Sequence, residues 1–230
     1  MLVRIHGAIS NCYLVLGERP ILVDTGAPGD LKRILGALKA HEIRPKDIAL
    51  ILLTHGHGSH AGCAAELKRR SGAQIALHIG DAELVRNGEN GVLTPTSPLS
   101  RFLRPFVDEP FEAFEPDVLF RDGFSLEPHG VKGRVLATPG HTMGSASVVL
   151  GAGEAIIGDL LRGSMLLPNK ARDHFFCNDQ ELNTRSIVRL AREGLVRCHP
   201  GNFGSFSGSE LHRFLATSTG EVMELSSELV

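Results

Sequence analysis

Short apolar runs separated by glycine, proline and asparagine open the chain and predict β-strands. The first of them are LVRI, NCYLVLG and PILVDTG. They are rich in Val, Ile and Leu, which favour extended backbone, while the residues between them favour turns. The run DIALILLTH is almost continuously apolar, which is typical of a strand buried on both faces. The N-terminal third of the chain therefore predicts a β-sheet.

Amphipathic segments between these strands predict helices. Residues 30–41 place apolar side chains at three- and four-residue spacing, with Asp30 at the helix start. Further helices are predicted at residues 60–70, in GDAELVRNG, at residues 179–193 with Asn178 before the first turn, and in SELHRFLAT. Strand-like runs return in DVLF, FSLEPHG, RVLATPGHT and ASVVLGAGEAIIGDLL. Two comparable halves of this kind favour two packed sheets with outer helices, an αββα sandwich of the α/β class.

Residues 92–116 interrupt this pattern. They contain five prolines and four phenylalanines with little periodicity. A long segment of this composition within a compact chain is typical of a lid or substrate loop. A peripheral helical insertion that packs its phenylalanines on the core fits equally well. Apart from this insertion, we expect a single domain over residues 1–230.

Composition and charge narrow the function. The chain is 42% hydrophobic and 22% charged, with a net charge of -2 and no long basic run, so neither nucleic acid nor an anionic membrane is expected as a partner. No apolar stretch reaches membrane-spanning length, and the N-terminus lacks a signal-peptide pattern, so we expect a cytoplasmic protein. The four cysteines form no C-x-x-C pair, which favours free thiols. A small-molecule substrate is the expected partner.

A cluster of histidines follows the apolar run DIALILLTH. In LTHGHGSHAG, residues 53–62, three histidines occupy six positions and are separated by small residues. Further polar residues follow other predicted strands, in VDTG, TPGHT, IIGDLL and CHPGNFG. Because strand ends meet at one edge of a layered fold, these side chains predict a metal-binding cleft. The residues concerned are Asp24, His55, His57, His60, His141, Asp159, His199 and Asn202.

The order of these motifs resembles that of the metallo-β-lactamase superfamily, in particular its hydroxyacylglutathione-hydrolase-like (glyoxalase II type) branch, over nearly the whole chain. The resemblance implies a four-layer αββα sandwich with two mixed sheets. It also implies a first metal site formed by His55, His57 and His141. Three neutral imidazoles and an open position suit a catalytic zinc ion. Water on such an ion has a pKa of about 7, which makes hydroxide available at neutral pH.

The resemblance implies a second metal site as well, and there the chain departs from the family pattern. His60 and the bridging Asp159 are present, but Ser59 replaces an aspartate and Asn202 replaces a histidine. Neutral oxygen ligands bind a divalent ion more weakly than carboxylate and imidazole do. We therefore expect one zinc ion per chain, with iron as the alternative. His199, three residues before Asn202, is the candidate to replace it.

Other residues are predicted to support this site. Asp24 is expected to orient His57 or another ligand by accepting its free N–H. Residues 162–178 follow Asp159, where the family places substrate-facing groups, so a wall for an anionic acyl substrate is predicted there. A solvated loop with core phenylalanines is the other interpretation of this segment. The predicted wall residues are Arg162, Lys170, Arg172, His174, Phe175 and Phe176.

Together these features predict a hydrolase of a small ester, thioester or lactone, with Asp159 and His60 at the catalytic centre. Hydrolysis is expected to be slow, because Ser59 takes the place of a proton acceptor near the nucleophile. The chain ends soon after SELHRFLAT, so a glutathione thioester is not expected. One alternative is a mononuclear iron dioxygenase of persulfides that uses His55, His141 and Asp159. A non-catalytic ligand-binding relative is the other.

Overall fold

A six-stranded sheet forms the N-terminal half of the computed structural model, which describes residues 1–218. Its strands follow one another in chain order. The first three strands pair antiparallel, and the remaining pairings are parallel. The strands are β1 (Leu2–His6), β2 (Asn11–Val15), β3 (Ile21–Val23), β4 (Leu50–Leu52), β5 (Gln74–His78) and β6 (Val118–Phe120).

A five-stranded sheet forms the second half, and a two-stranded ribbon follows its third strand. The strands of this sheet are β7 (Gly133–Ala137), β8 (Ala146–Leu150), β9 (Glu154–Gly158), β12 (Arg197–Pro200) and β13 (Phe206–Ser207), in the spatial order β13-β12-β9-β8-β7. The ribbon consists of β10 (Arg162–Gly163) and β11 (Ala171–Arg172). Both large sheets are mixed, since β9 and β12 pair parallel while β7, β8 and β9 pair antiparallel.

The α-helices that the structure describes lie outside the two sheets or at their edges. They are α1 (Leu31–Ala40), α2 (Gly58–Ala61), α3 (Ala64–Ser71), α4 (Ala82–Asn87), α5 (Pro98–Val107), α6 (Gln180–Ala191) and α7 (Gly208–Ser218). Ile34 of α1 and Leu67 of α3 share an apolar cluster with the first sheet. Ile187 of α6 and Leu211 of α7 share another with the second sheet. The predicted αββα arrangement is confirmed.

A third apolar cluster lies between the two sheets and fixes how they face one another. It combines buried side chains of the first sheet, such as Leu50 and Leu52, with Val148 and Ile156 of the second. Near one end of this interface the layers are also joined by polar contacts. The Tyr13 hydroxyl donates to the Pro200 carbonyl at 2.7 Å, and the Asn11 amide N–H donates to the Gly201 carbonyl at 2.6 Å. These bonds join β2 of the first sheet to the end of β12 in the second.

Two predicted helices differ in detail from those observed. The helix expected over residues 60–70 is divided into α2 and α3, because the chain packs against Pro28 at Gly62, where a Cβ would lie 2.4 Å from the Pro28 nitrogen. The helix expected over residues 179–193 is α6, whose cap is Asp179, which accepts from the Leu182 N–H at 2.9 Å. The Asn178 side chain instead accepts from the Thr94 N–H.

The proline- and phenylalanine-rich segment over residues 92–116 contains α5. Phe111 is buried in the cluster beneath the first sheet, and Phe114 packs against that cluster, whereas Phe102 is 70% exposed. Two of its phenylalanines thus pack on the core, as in the helical-insertion interpretation. All four cysteines are buried and free. Among the helices that the structure describes, none is both long enough and apolar enough to cross a bilayer.

Candidate metal centre

The three clustered histidines lie where β4 ends and α2 begins. The buried strand delivers His55 to the edge of the first sheet, and His57 occupies the N-cap position of α2. Gly56 between them contacts the Asp81 side chain closely, since a Cβ at Gly56 would lie 3.0 Å from the Asp81 Cβ. All three histidines are buried. The glycines therefore allow a sharp, tightly packed loop that turns the imidazoles inward.

His141 completes a set of three imidazoles with His55 and His57. One ring nitrogen of each lies within 4.8 Å of the others, and His57 Nδ1 is 3.0 Å from His141 Nε2. Nitrogen ligands of a tetrahedral zinc ion, each about 2.0–2.1 Å from the metal, lie about 3.3 Å apart. His141 Nδ1 is 2.8 Å from the Phe176 carbonyl, to which it donates. Its Nε2 lone pair therefore points into the set, as metal ligation requires.

Asp159 lies between this set and His60. Its Oδ2 is 3.8 Å from His55 Nε2 and 3.7 Å from His141 Nε2. Its Oδ1 is 3.2 Å from His60 Nε2. The carboxylate follows β9, so it enters the site from the second sheet while the clustered histidines enter from the first. The site is thus built at the junction of the two halves.

Asp24 orients His60 rather than His57. Its Oδ2 accepts from His60 Nδ1 at 2.8 Å, and its Oδ1 accepts from the Thr54 amide at 2.7 Å. The Thr54 hydroxyl also bonds to this carboxylate and lies 3.1 Å from His55 Nδ1. Asp24 is fully buried and has a left-handed backbone, with φ 63°. It thereby fixes two imidazole rings, one directly and one through Thr54.

The electrostatics of the site favour a cation. Burial lowers the pKa of His57 to about 3 and holds the pKa values of His55 and His141 well below the ordinary value, so these rings are neutral at pH 7. His60 differs: burial disfavours its charged form, but Asp159 and Asp24 raise its pKa to about 10. The two carboxylates therefore attract positive charge between them, either a proton on His60 or a metal ion.

Several buried donor and acceptor atoms at the site have no hydrogen-bond partner. Leaving such an atom unpaired typically costs about 1–3 kcal/mol. A divalent cation would satisfy their lone pairs, and imidazole nitrogen with carboxylate oxygen is a donor set that zinc accepts. The residues present therefore fit a metal. Among the described residues, the unpartnered atoms that a cation here would satisfy are His55 Nε2, His60 Nε2 and Asp159 Oδ1. His57 would contribute Nδ1, which lies 3.0 Å from His141 Nε2.

The predicted remnants of a second site do not assemble into one. Asn202 Nδ2 donates to the Ile9 carbonyl at 3.1 Å, which directs its Oδ1 towards His174 Nε2, 2.8 Å away. His199 does not replace Asn202, because its Nδ1 bonds to the Ser205 hydroxyl at 2.9 Å and its ring lies edge-on to Tyr13. Ser59 lines the cavity over the cluster but is a neutral oxygen ligand at best.

His174 belongs to the metal cluster and not only to the predicted substrate wall. Its Nε2 lies 3.1 Å from Asp159 Oδ2, and its ring centroid is 4.7 Å from that of His141. With Asp159 and Asn202 both accepting, Nε2 carries a proton, and Asp159 raises the pKa of His174 although burial opposes this. The sequence analysis placed His174 in the substrate wall and not beside the metal ligands, because no motif spacing links it to them.

The remaining wall residues divide between two cavities. Phe175 and Phe176 line a cavity of about 180 Å³ over the cluster, together with Leu93, Leu103 and Val107 of the 92–116 segment. Arg162, Arg172 and Phe175 line a neighbouring cavity of about 490 Å³. Lys170 lines neither; its Nζ is 3.6 Å from a Glu210 carboxylate oxygen, so it is not available to a substrate in either cavity.

The fold and the His/Asp cluster define a class of protein. Residues 7–192 match the sequence model of the metallo-β-lactamase superfamily, and the chain belongs to this superfamily. It is similar to a probable metallo-hydrolase of Methanocaldococcus jannaschii, with 28% identity over 63% of this chain and 64% of the relative. An uncharacterized protein of Mycobacterium tuberculosis is 34% identical over 59% and 58% of the two chains. The matches thus span less than two thirds of these relatives.

Three further comparisons concern the branch of the superfamily and the fold. A hydroxyacylglutathione hydrolase of Anaeromyxobacter dehalogenans is 40% identical, but over only 36% of this chain and 31% of its own, so the glyoxalase II type branch stays a prediction. A metallo-β-lactamase family protein from Thermus thermophilus superposes with a TM-score of 0.72, at 24% identity, over 99% of this chain and 82% of its own. The B3 metallo-β-lactamase BLEG-1 also gives 0.72, at 21% identity, over 94% and 99%. These structures support the fold.

Proposed function

We propose that this protein is a metal-dependent hydrolase of small esters, thioesters or lactones, with one zinc ion per chain. The observation that carries the proposal is the set of buried, neutral imidazoles around Asp159, with ring and carboxylate atoms that lack hydrogen-bond partners. His55, His57 and His141 would hold the ion, with Asp159 as a fourth donor. The relative named as a probable metallo-hydrolase supports the reaction class.

The residues around the set have distinct tasks in this proposal. When bound, the ion would polarise the substrate carbonyl and supply a water of lowered pKa. Asp159 Oδ2 faces the imidazole set and can accept the proton of the attacking water. His60, held by Asp24, contacts the other oxygen and keeps the carboxylate in this orientation. Phe176 and Leu103 line the cavity, and such apolar walls would limit the access of bulk water to the reacting carbonyl.

The donors that each metal position offers support the proposal of a single ion. The first position has three imidazoles and a carboxylate oxygen within reach. The second has His60 and Asp159 Oδ1; His55 also lies near them but is a donor of the first position, and the Asn202 oxygen already accepts from His174. Two protein donors with neutral neighbours hold a divalent ion more weakly than four. We therefore propose a mononuclear site.

Metal content and esterase activity test this function together. Protein purified without added metal or chelator is expected to hold about one zinc per chain, and His141→Ala is expected to lose both the metal and at least about 100-fold in kcat/KM. His41→Ala is the matched control, since His41 is exposed at the end of α1. Unchanged turnover in His141→Ala would show that the reaction does not use this site.

A second candidate function rests on the two-histidine, one-carboxylate set of His55, His141 and Asp159. The Asp159 oxygen lies 3.8 and 3.7 Å from the two Nε2 atoms. Such a set with open positions suits a single ferrous ion and dioxygen, as in a persulfide dioxygenase. Iron in the purified protein, with oxygen uptake on adding a persulfide, would favour this reaction. Zinc with ester hydrolysis and no oxygen uptake would exclude it.

A further inference from the structure

Two arginines lie directly opposite each other on the ribbon that follows Asp159. Strands β10 and β11 pair antiparallel, with Arg162 opposite Arg172. Side chains opposite one another in a sheet share a face, and like charges at such positions are destabilising. The arrangement therefore costs stability unless an anion lies between or beside the two guanidinium groups.

Within residues 1–218, neither guanidinium is neutralised by an ion pair. Arg162 Nη1 donates to the Gly163 carbonyl at 3.2 Å, and Arg172 Nη1 donates to the Ala171 carbonyl at 3.3 Å. Arg162 Nε is buried and has no partner among the described residues. Each arginine thus satisfies one N–H on its own strand and leaves other donors unused, although a guanidinium carries five.

Aromatic side chains hold Arg162 in place. Its Cζ lies 4.2 Å from the centroid of the Phe175 ring and 5.8 Å from that of Phe203. A guanidinium that lies over a ring face keeps the edge of its plane free. Through that edge it can donate two parallel hydrogen bonds to an oxyanion. The cation is therefore positioned before any ligand arrives, which reduces the entropy lost on binding.

The arginine pair is adjacent to the metal cluster. The cavity of about 490 Å³ that both arginines line shares His174 and Phe175 with the cavity of about 180 Å³ over His141 and Asp159. Asp173 is the carboxylate among the residues lining the larger cavity, and its charge partly offsets that of Arg162. The net charge of the arginine pair with Asp173 remains positive.

We propose that Arg162 and Arg172 form an oxyanion subsite, so that the substrate is an ester or thioester carrying a second, anionic group. This inference rests on the proposed hydrolase function. The anionic end binds the arginine pair, and the carbonyl to be cleaved lies beside His141 and Asp159. A carboxylate or a phosphate satisfies the guanidinium forks, and the acyl chain between the two ends passes Phe175.

Substrate preference tests the subsite. Wild-type protein is expected to hydrolyse the mono-p-nitrophenyl ester of glutarate with a kcat/KM at least about tenfold above that of p-nitrophenyl valerate, the neutral ester of matched length. Arg162→Gln and Arg172→Gln should each reduce this ratio about tenfold, through KM. Arg192→Gln, an exposed arginine at the end of α6, is the control and should keep the ratio. A ratio near one in wild type, or unchanged in both variants, overturns the inference.

A binding measurement separates the subsite from the hydrolase function. Glutarate and inorganic phosphate, added separately, should raise the Tm of wild type and of Arg192→Gln but not of Arg162→Gln. A larger shift with one anion identifies the preferred group. If no ester is cleaved but the shift depends on Arg162, the hydrolase proposal fails and the anion subsite stands. If esters are cleaved and neither anion has an effect, the subsite fails alone. If Arg162→Gln does not fold, the same Tm measurements are made on two other variants, Arg162→Lys and Arg172→Gln.

Discussion

Asp81 is a buried carboxylate that joins the two loops carrying the first set of histidines. It accepts from the Gly56 N–H at 2.8 Å, beside His55 and His57 in the chain. It also accepts from the Thr142 hydroxyl and the Gly144 N–H, both at 2.7 Å, close to His141. Burial raises its pKa although all three bonds favour the carboxylate. Asp81 is therefore a positioning residue for the metal, and sequence reasoning did not identify it.

Replacing Asp81 by Asn is expected to weaken zinc binding. The amide offers one acceptor oxygen where the carboxylate offers two, and its NH₂ faces a backbone N–H, so at least one buried donor loses its partner at a cost of about 1–3 kcal/mol. We expect at least a tenfold loss of zinc affinity in a competition titration with a chelator. Asp47→Asn, on a solvent-exposed pair with Arg44, is the control. If Asp81→Asn binds zinc with wild-type affinity, the Asp81 side chain is not needed to position the two loops that carry the histidines.

Restoring the two family ligands should create a second metal site. In Ser59→Asp with Asn202→His, a carboxylate and an imidazole join His60 Nε2 and Asp159 Oδ1, which already face one another at 3.2 Å. Metal content measured by elemental analysis should rise from about one to about two zinc ions per chain. A content that stays at one would show that other features, such as the position of His174, prevent a second ion.

The sequence indicated some of these residues and missed others for physical reasons. The histidines His55, His57 and His60 are visible because three imidazoles share one short loop. Asp81 was not identified, and His174 was predicted only as a wall residue, because each lies far along the chain from the clustered histidines and reaches the site only through tertiary packing. Asp24 was identified as supporting a ligand, but which ring it orients depends on the positive φ at that position.

At the scale of secondary-structure elements, α5 and the residues around it form part of the wall of the metal cavity. Leu93, Leu103 and Val107 line that cavity, and Asn90 links the segment to the histidine loop by accepting from the Gly58 N–H at 2.7 Å. The same segment buries Phe111 in the core. One part of the segment thus packs on the core, as in the helical-insertion interpretation, while another lines the cavity, and its role as a lid or substrate loop stays a prediction. Periodicity could not separate the two interpretations because prolines interrupt it.

Shortening Leu103 is expected to change the acyl-chain preference. Leu103→Ala removes three carbon atoms from the wall of a cavity of about 180 Å³, so longer acyl chains gain room. The ratio of kcat/KM for p-nitrophenyl octanoate to kcat/KM for p-nitrophenyl acetate should rise by up to about 10-fold. A change of this size is what the loss of a few carbon atoms from an apolar pocket can produce. Leu166→Ala, at an exposed position that lines neither cavity, should leave it unchanged. An unchanged ratio in Leu103→Ala would argue against substrate contact with α5.

At the scale of the whole molecule, the cluster joins the two halves of the fold. His55, His57 and His60 follow the first sheet, whereas His141 and Asp159 follow strands of the second. Removing the metal should therefore lower the stability of the entire domain and not of one loop. At a free zinc concentration of 100 times Kd, binding contributes about 2.7 kcal/mol. Chelation should then lower the Tm by several degrees, as seen by calorimetry; an unchanged Tm would contradict metal binding by the folded state.

The pH dependence of the stability of the metal-free protein should show which positive charge balances the buried carboxylates of Asp24 and Asp159. Asp159 and Asp24 raise the pKa of His60 from 6.5 to about 10 against the effect of burial, so protonation of His60 stabilises the folded state. This contribution is complete below pH 6.5 and is lost as the pH rises from there through about 10. The Tm of chelator-treated wild type should therefore fall over this window more steeply than that of His60→Gln, which lacks the titrating group.

Zinc-loaded protein provides the comparison that links this titration to the metal. An ion near Asp159 supplies the positive charge that the His60 proton otherwise provides, so the steep loss of stability between about pH 6.5 and about pH 10 should be absent with zinc bound. Parallel curves for metal-free wild type and His60→Gln would show that His60 is already neutral in the metal-free fold. The carboxylate pair would then be stabilised by other groups, and the site would have no electrostatic preference for a cation at His60.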